Sequence, residues 1–275
     1  MKLTVLIDNI TKDEKLLSEW GLSVYIEYKD QKILLDTGAS ADFLKNAEAM
    51  GIDLKQVNFG VLSHAHYDHA DGLDTFFDAC PDIPFYLSEN CRENAYGIKE
   101  DEPLKYIGIK RGLLKEYADR IRFVSGAAEI SEGVWLIPHS RKDYSEIAFR
   151  GKLYRMEEGE SEASPENFAH EQSLVLETKE GLVIFNSCSH TGMENIVEEV
   201  RRQLPGKKIL AYFGGLHLFL LNDDEIMHVA DLIASLGIEK VMTGHCTGDH
   251  AFELLQERLP GVMQQFYSGF SWECE

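Results

Sequence analysis

What the sequence lacks narrows the field first. Across its 275 residues no apolar run approaches the ~18 consecutive residues that a membrane-crossing helix needs, so a membrane is not an expected partner. The opening "MKLTVLIDNITKDEK" turns polar too soon for a secretory leader and has no small-residue cleavage site; it reads as a first strand, with the cytoplasm as the expected location. The five cysteines, Cys80, Cys91, Cys188, Cys246 and Cys274, are odd in number and irregular in spacing, which argues against a disulfide framework and suits reduced thiols. Basic residues are scarce: 27 Lys and Arg against 47 Asp and Glu give a net charge of −20, which argues against nucleic acid as a partner. No glycine-rich dinucleotide or P-loop pattern occurs, and no internal repeat. An anionic small molecule remains compatible with such a chain if metals or helix N-termini supply positive charge locally.

Strand-like and helix-like segments alternate. "KLTVLID", "LSVYIEYKDQKILLDTG" and "VNFGVLS" read as strands, the second as a hairpin, and "SADFLKNAEAMG" follows with helical spacing and a glycine stop. Later, "SLVLETKEGLVIFNS" reads as a second hairpin. After it, "MENIVEEVRRQL", "DDEIMHVADLIASLG" and "DHAFELLQERL" read as helices between the strands "KILAYFGG" and "KVMTG". The pattern suggests one domain over residues 1–275, two packed sheets with helices outside. It is interrupted by irregular or helical excursions at about 92–120 and 140–168.

The densest chemistry lies in "LSHAHYDHADGL". His64 and His66, two apart in extended chain, project to one side, while Asp68 and His69 follow where the chain turns toward a helix. Four ligands within six residues exceed what one tetrahedral catalytic zinc takes from a local segment, since such an ion keeps a position open. Two adjacent metals resolve the excess, His64 and His66 serving one, Asp68 and His69 the other. Further histidines stand at strand ends in small-residue loops: His190 in "NSCSHTG", His217 in "FGGLHL" and His245 in "TGHCTG".

"HAHYDH", with "LLDTG" upstream, resembles the HxHxDH and first motifs of the metallo-β-lactamase fold superfamily, and further motifs follow in order over nearly the whole chain. The resemblance implies a four-layer αββα sandwich with a binuclear site at one edge of the sheets. It also implies a third-motif histidine, a bridging aspartate and a final histidine. His245 fits the last role. The bridging position departs from the pattern, with Cys188 where the aspartate would stand; the thiol could bridge the metals or pack beneath them. His190 and His170 compete for the third motif. "CSHTG", "GGLHL" and "GHCTG" together resemble one subfamily, in which the CSH histidine goes with the metals, which favours His190. Asp36 is expected to accept a hydrogen bond from a ligating histidine. His139, His228 and His250 lack supporting context.

The expected chemistry is metal-dependent hydrolysis by two divalent ions, zinc first, with manganese or iron also compatible with mixed N/O ligands. Asp68 is expected to orient the nucleophile as well as bind metal, and His217 to donate hydrogen bonds to substrate. Thr191 and Gly192, opening a helix beside the site, point to an anionic, phosphorylated small molecule. Lys110, Arg111, Arg141 and Lys142 in the excursions are candidate phosphate contacts. The subfamily also contains a transferase of methanopterin biosynthesis, so group transfer is the alternative; a metal-holding binding module without catalysis is a third reading. Tyr67, where flavodiiron-type relatives carry a glutamate, counts against di-iron redox chemistry. The sequence does not specify oligomeric state.

Overall fold

The structure is a computed structural model that describes residues 1–98, 104–139, 152–157 and 159–275. Two seven-stranded sheets dominate it. The first runs, edge to edge, Ser271–Glu273, Lys2–Ile7, Ser23–Tyr28, Gln31–Leu35, Phe59–Val61, Phe85–Ser88 and Ile121–Val124. The second runs Met263–Gln265, Lys240–Thr243, Ile209–Phe213, Leu182–Phe185, Gln172–Glu177, Val134–Pro138 and Ala128–Ser131. In this order the first sheet has three antiparallel pairings followed by three parallel ones, and the second three parallel pairings followed by three antiparallel ones.

Alternation along the strands explains the layering. Ile33 and Leu35 face Val183 and Phe185 in a core between the sheets, while Leu34 faces outward onto Phe43, Ala47 and Phe76 of the helices Asp42–Ala49 and Leu73–Ala79. Leu182 and Ile184 likewise face Ile196, Ile233 and Leu255 of Met193–Gln203, Asp223–Leu236 and Asp249–Arg258. Strands apolar on both faces therefore carry a helix layer outside and a sheet inside, the αββα sandwich.

The described parts of the excursions include strands where the sequence suggests irregular or helical chain. Ala95–Gly97 and Lys105–Tyr106 pair with each other, and Leu153–Arg155 and Ser164–Pro165 extend them into a four-stranded antiparallel sheet. Strands of two or three residues are too short to leave an alternating pattern. This small sheet is tied to the histidine loop: Tyr67 N–H donates to Ile107 O at 2.8 Å, and His66 bridges to Gly108. Arg141 and Lys142 lie outside the described residues.

Candidate metal centre

Every candidate ligand sits just past the carboxyl end of a parallel strand, the edge where open α/β sheets hold their ligands. Asp36 follows Gln31–Leu35, and His64 follows Phe59–Val61, its parallel neighbour. Cys188 and His190 follow Leu182–Phe185, His217 follows Ile209–Phe213, and His245 follows Lys240–Thr243, again parallel neighbours. Ser187 Oγ–H donates to Asp36 Oδ2 at 2.6 Å, so the two sheet edges meet.

Among the described residues five groupings of side chains hold ligand atoms within 4.8 Å of one another: His64, His66 and His190; His64, His69 and Cys188; Asp68, His69 and His245; Cys188, His190 and His217; and Cys188, His245 and Cys246. The structure thus brings together His64, His66, Asp68, His69, His190 and His245, with Cys188 shared among three groupings. Cys188 Sγ lies 3.2 Å from His69 Nε2.

Hydrogen bonding fixes which nitrogens face inward. The Asp36 carboxylate, fully buried, accepts from Ser63 N–H at 2.7 Å, Ser63 Oγ–H at 2.7 Å and Ser187 Oγ–H, so His69 Nδ1, 2.8 Å away, is the donor of that pair. Ser63 Oγ, having given its proton to Asp36, accepts from His64 Nδ1 at 2.9 Å. Asn9 Oδ1 accepts from His245 Nδ1 at 2.9 Å, while Asn9 Nδ2 donates to His245 O. His64, His69 and His245 each therefore turn Nε2 toward the centre, with a hydroxyl, a carboxylate and an amide carbonyl respectively behind them accepting from Nδ1.

The Nε2 atoms of His69 and His245 meet one another, the Asp68 carboxylate and, at His69, the Cys188 thiol. His69 Nε2 and His245 Nε2 stand 3.2 Å apart, and Asp68 Oδ2 lies 3.9 Å and 3.6 Å from them. The buried Nε2 of His64 and of His66 and both ring nitrogens of His190 have no hydrogen-bond partner. A buried polar atom left unpaired is costly, and a converging set of buried ring nitrogens left without partners fits a cation. Burial and neighbouring imidazoles hold His64 and His190 well below the ordinary histidine range and take His66 down to about 3, so all three offer neutral rings. Burial would raise Asp68, but His69 and His245 more than offset it and keep the carboxylate ionised. His245, against burial, is pushed up to about 9 by Asp68: where no metal sits, a proton takes its place.

Backbone strain gathers at the same edge. Asp36, Ser189, His217 and His245 all have φ between 51° and 57°, the left-handed region that costs non-glycine residues of order 1–3 kcal/mol each. Gly214 and Gly215 let the His217 loop cross the Cys188 loop: a Cβ on Gly214 would lie 1.7 Å from Asn186 O, and one on Gly215 2.4 Å from Cys246 Sγ. The ligand cluster opens into a cavity of about 140 Å³ lined by His66, Asp68, His190 and His217 and rimmed by Trp20, Tyr67 and Phe219.

Some expectations need correction. Thr191 and Gly192 cannot offer their N–H groups to a substrate. Thr191 N–H and Oγ–H and His190 N–H all donate to the buried carboxylate of Glu171, at 3.1, 2.7 and 2.8 Å, and Gly192 N–H donates to Ser189 O. The protein's own anion occupies that helix start. His170 belongs to no ligand grouping, yet it is buried. Its Nδ1 accepts from Ala65 N–H at 3.1 Å, gripping the backbone between His64 and His66, and its Nε2 faces Glu166 at 3.8 Å. His217 lies within ligating reach of Cys188 and His190, closer to the candidate ligands than a purely substrate-contacting role implies. His139 bonds to Ser173 and Asn186 instead, and His250 pairs with Asp223 on the surface.

Sequence reading missed Cys246, Asn9, Ser63, Ser187, Glu166 and Glu171. Cys246 and Glu171 stand directly beside His245 and His170, which was the available signal; the serines and Asn9 act through hydrogen bonds that no spacing reveals.

The fold and this edge define a protein class, and the comparison with known families agrees: the chain belongs to the metallo-beta-lactamase superfamily, whose model matches residues 21–199. Over 266 residues the chain is 28% identical to the 7,8-dihydropterin-6-methyl-4-(beta-D-ribofuranosyl)-aminobenzene-5'-phosphate synthase of Methanocaldococcus jannaschii, covering 92% of this chain and 89% of that one. It is also similar to the crystal structure of Tm1679, a metal-dependent hydrolase of the beta-lactamase superfamily. That likeness has a TM-score of 0.83 and 30% identity over 100% of this chain and 99% of the other. A diphosphatase of the PhnP family shares the fold at a TM-score of 0.55 and 17% identity, over 100% of this chain and 98% of that one. Among the described residues no helix is long and apolar enough to cross a membrane.

Proposed function

We propose that the protein is a metal-dependent hydrolase acting on a small, phosphorylated molecule at a site of two divalent ions, zinc in the first instance. The observation that carries this is the convergence of inward-facing Nε2 atoms and partnerless buried ring nitrogens around Cys188. His64, His66 and His190 would hold one ion, and Asp68, His69 and His245 the other, with Cys188 within reach of both sets. Bound there, two divalent ions supply Lewis acidity and a nucleophilic water near neutral pH.

The chain's own groups do the rest. Asp68, ionised and facing the cavity, accepts a hydrogen bond from the attacking water and aligns it. His217, half-buried with Nδ1 unpartnered, sits where it can give a proton to the leaving oxygen. Trp20, Tyr67 and Phe219 form an apolar rim that limits bulk water. Five unpaired thiols support a cytoplasmic location. The net charge of −20 speaks against nucleic acid or anionic membrane as partner.

Group transfer is the second reading, supported by the likeness to the Methanocaldococcus synthase over nine-tenths of both chains. One experiment separates the two. The metal-loaded protein is assayed on a panel of phosphodiesters, phosphomonoesters, lactones and thioesters, then with a diphosphate donor and an arylamine acceptor. Hydrolysis of a panel member, abolished by His66→Ala, is expected; a product only in the second assay would overturn the hydrolase reading.

A further inference from the structure

The 140 Å³ cavity at the metal ligands has room for little more than a reacting group, but a second cavity of about 890 Å³ lies against it. Tyr67, Ile107 and Leu153 line both, so the two share a wall. Among the described residues the lining of the larger cavity reverses the charge balance of the chain: Lys105, Lys110, Arg111 and Lys152 face one carboxylate, Asp71, in a protein with 47 acidic and 27 basic residues.

The cations are not equivalent. Lys110 is committed to Asp74. Arg111 has no carboxylate partner among the described residues. Its Nη2 donates to the Tyr96 hydroxyl at 2.6 Å and its guanidinium lies 4.4 Å from the centre of the Tyr106 ring, which holds the group in place and leaves its other N–H donors unspent. Lys105 stands on the adjoining strand, exposed, with no acidic partner among the described residues. The backbone ties between Tyr67 and Ile107 and between His66 and Gly108 fix this cationic wall relative to the ligand loop.

We propose that this cleft binds the non-reacting end of the substrate, that this end is a phosphate monoester, and that Arg111 and Lys105 are its specificity-determining contacts. The proposal rests on the reading of the histidine cluster as the reacting centre. A dianionic phosphate suits several cations better than a single carboxylate does, and the guanidinium fork matches its oxygens. Ile98, Ile107 and Leu153 offer an apolar surface for the body of the molecule between the phosphate and the metals.

The test is calorimetric titration of the full-length, metal-loaded protein with phenyl phosphate and with benzoate, repeated after treatment with a chelator. Phenyl phosphate is expected to bind with and without metal, more weakly as salt rises, and at least about tenfold more tightly than benzoate. Arg111→Met and Lys105→Met should each weaken it by about tenfold or more, with circular dichroism melting unchanged, since both side chains are exposed. Should the chelated protein unfold, the comparison of variants in the metal-loaded protein decides. Equal affinity of wild type and Arg111→Met, equal affinity for benzoate, or binding that vanishes with the metals while the fold persists would each overturn the proposal. Arg111-dependent binding without turnover on the ester panel would sustain the cleft while sinking the hydrolase reading. Turnover whose KM ignores both substitutions would sink the cleft alone.

Discussion

In the first half of the chain a single loop carries His64, His66, Asp68 and His69; in the second, Cys188, His190, His217 and His245 come from three separate strand ends between residues 188 and 245. The first loop takes its geometry from local spacing and is then braced from behind. Asp36 and Ser63 hold the rings of His69 and His64, and His170 grips the Ala65 backbone. The second set takes its geometry from the parallel register of Leu182–Phe185, Ile209–Phe213 and Lys240–Thr243. It also accepts left-handed backbone at Ser189, His217 and His245 to aim the side chains. A compact motif concentrates ligands at the expense of needing outside support. A dispersed one needs the whole sheet to be correct before any ligand is in place.

The comparison breaks most visibly if the halves are unequal in function. His66→Ala and His190→Ala, one from each half, should each lower turnover by about 1000-fold or more, because both supply nitrogens to the same grouping. Near-full activity in His190→Ala would show that the first loop suffices.

Dependence on the sheet is tested next by Gly214→Ala. The added carbon would meet Asn186 O at 1.7 Å with φ at 145°, so a loss of more than ~3 kcal/mol is expected, read as a collapse of Tm or of soluble yield. Gly206→Ala, at φ 78° with open space around it, should cost only ~1 kcal/mol. Equal losses would mean that the crossing at Gly214 is not the constraint.

Asp36→Asn asks whether the two halves share a brace. It removes an acceptor that serves Ser63, His69 and Ser187 together, so metal affinity should fall about 10- to 100-fold and stability by ~2 kcal/mol. A loss confined to stability would separate the brace from the metals.

The smallest effect concerns the support beneath His245. Burial raises Asp8 from 3.8 to about 7, with His245 opposing. A carboxyl raised in the folded state binds its proton more tightly there than in the unfolded chain, so this group costs stability as pH rises from about 4 through about 7. In metal-free protein, Asp8→Asn should raise Tm by a few degrees above pH 7, and the gain should close below pH 4. A pH-independent difference would refute the linkage.

The same contrast explains what could be read in advance. The sandwich was legible because Ile33, Leu34 and Leu35, or Leu182 to Phe185, are apolar on alternate faces, which signals strands covered on both sides. "HAHYDH" was legible because its ligands are adjacent in the chain. His190 and His245 could be nominated only as strand-end histidines, since their meeting depends on register. The anion role expected of Thr191 and Gly192 failed because a helix start looks the same whether a substrate or Glu171 fills it. The small sheet at Ala95–Gly97 and Leu153–Arg155 left no trace because pairing across more than fifty residues of chain is invisible in strands so short.

Metal analysis by mass spectrometry of the purified protein measures directly whether two ions are shared between the halves. About two equivalents are expected in the wild type and about one in His245→Ala, which removes a ligand from the set with Asp68 and His69 and leaves His64, His66 and His190 intact. One equivalent or none in the wild type, or two retained in His245→Ala, would contradict that sharing.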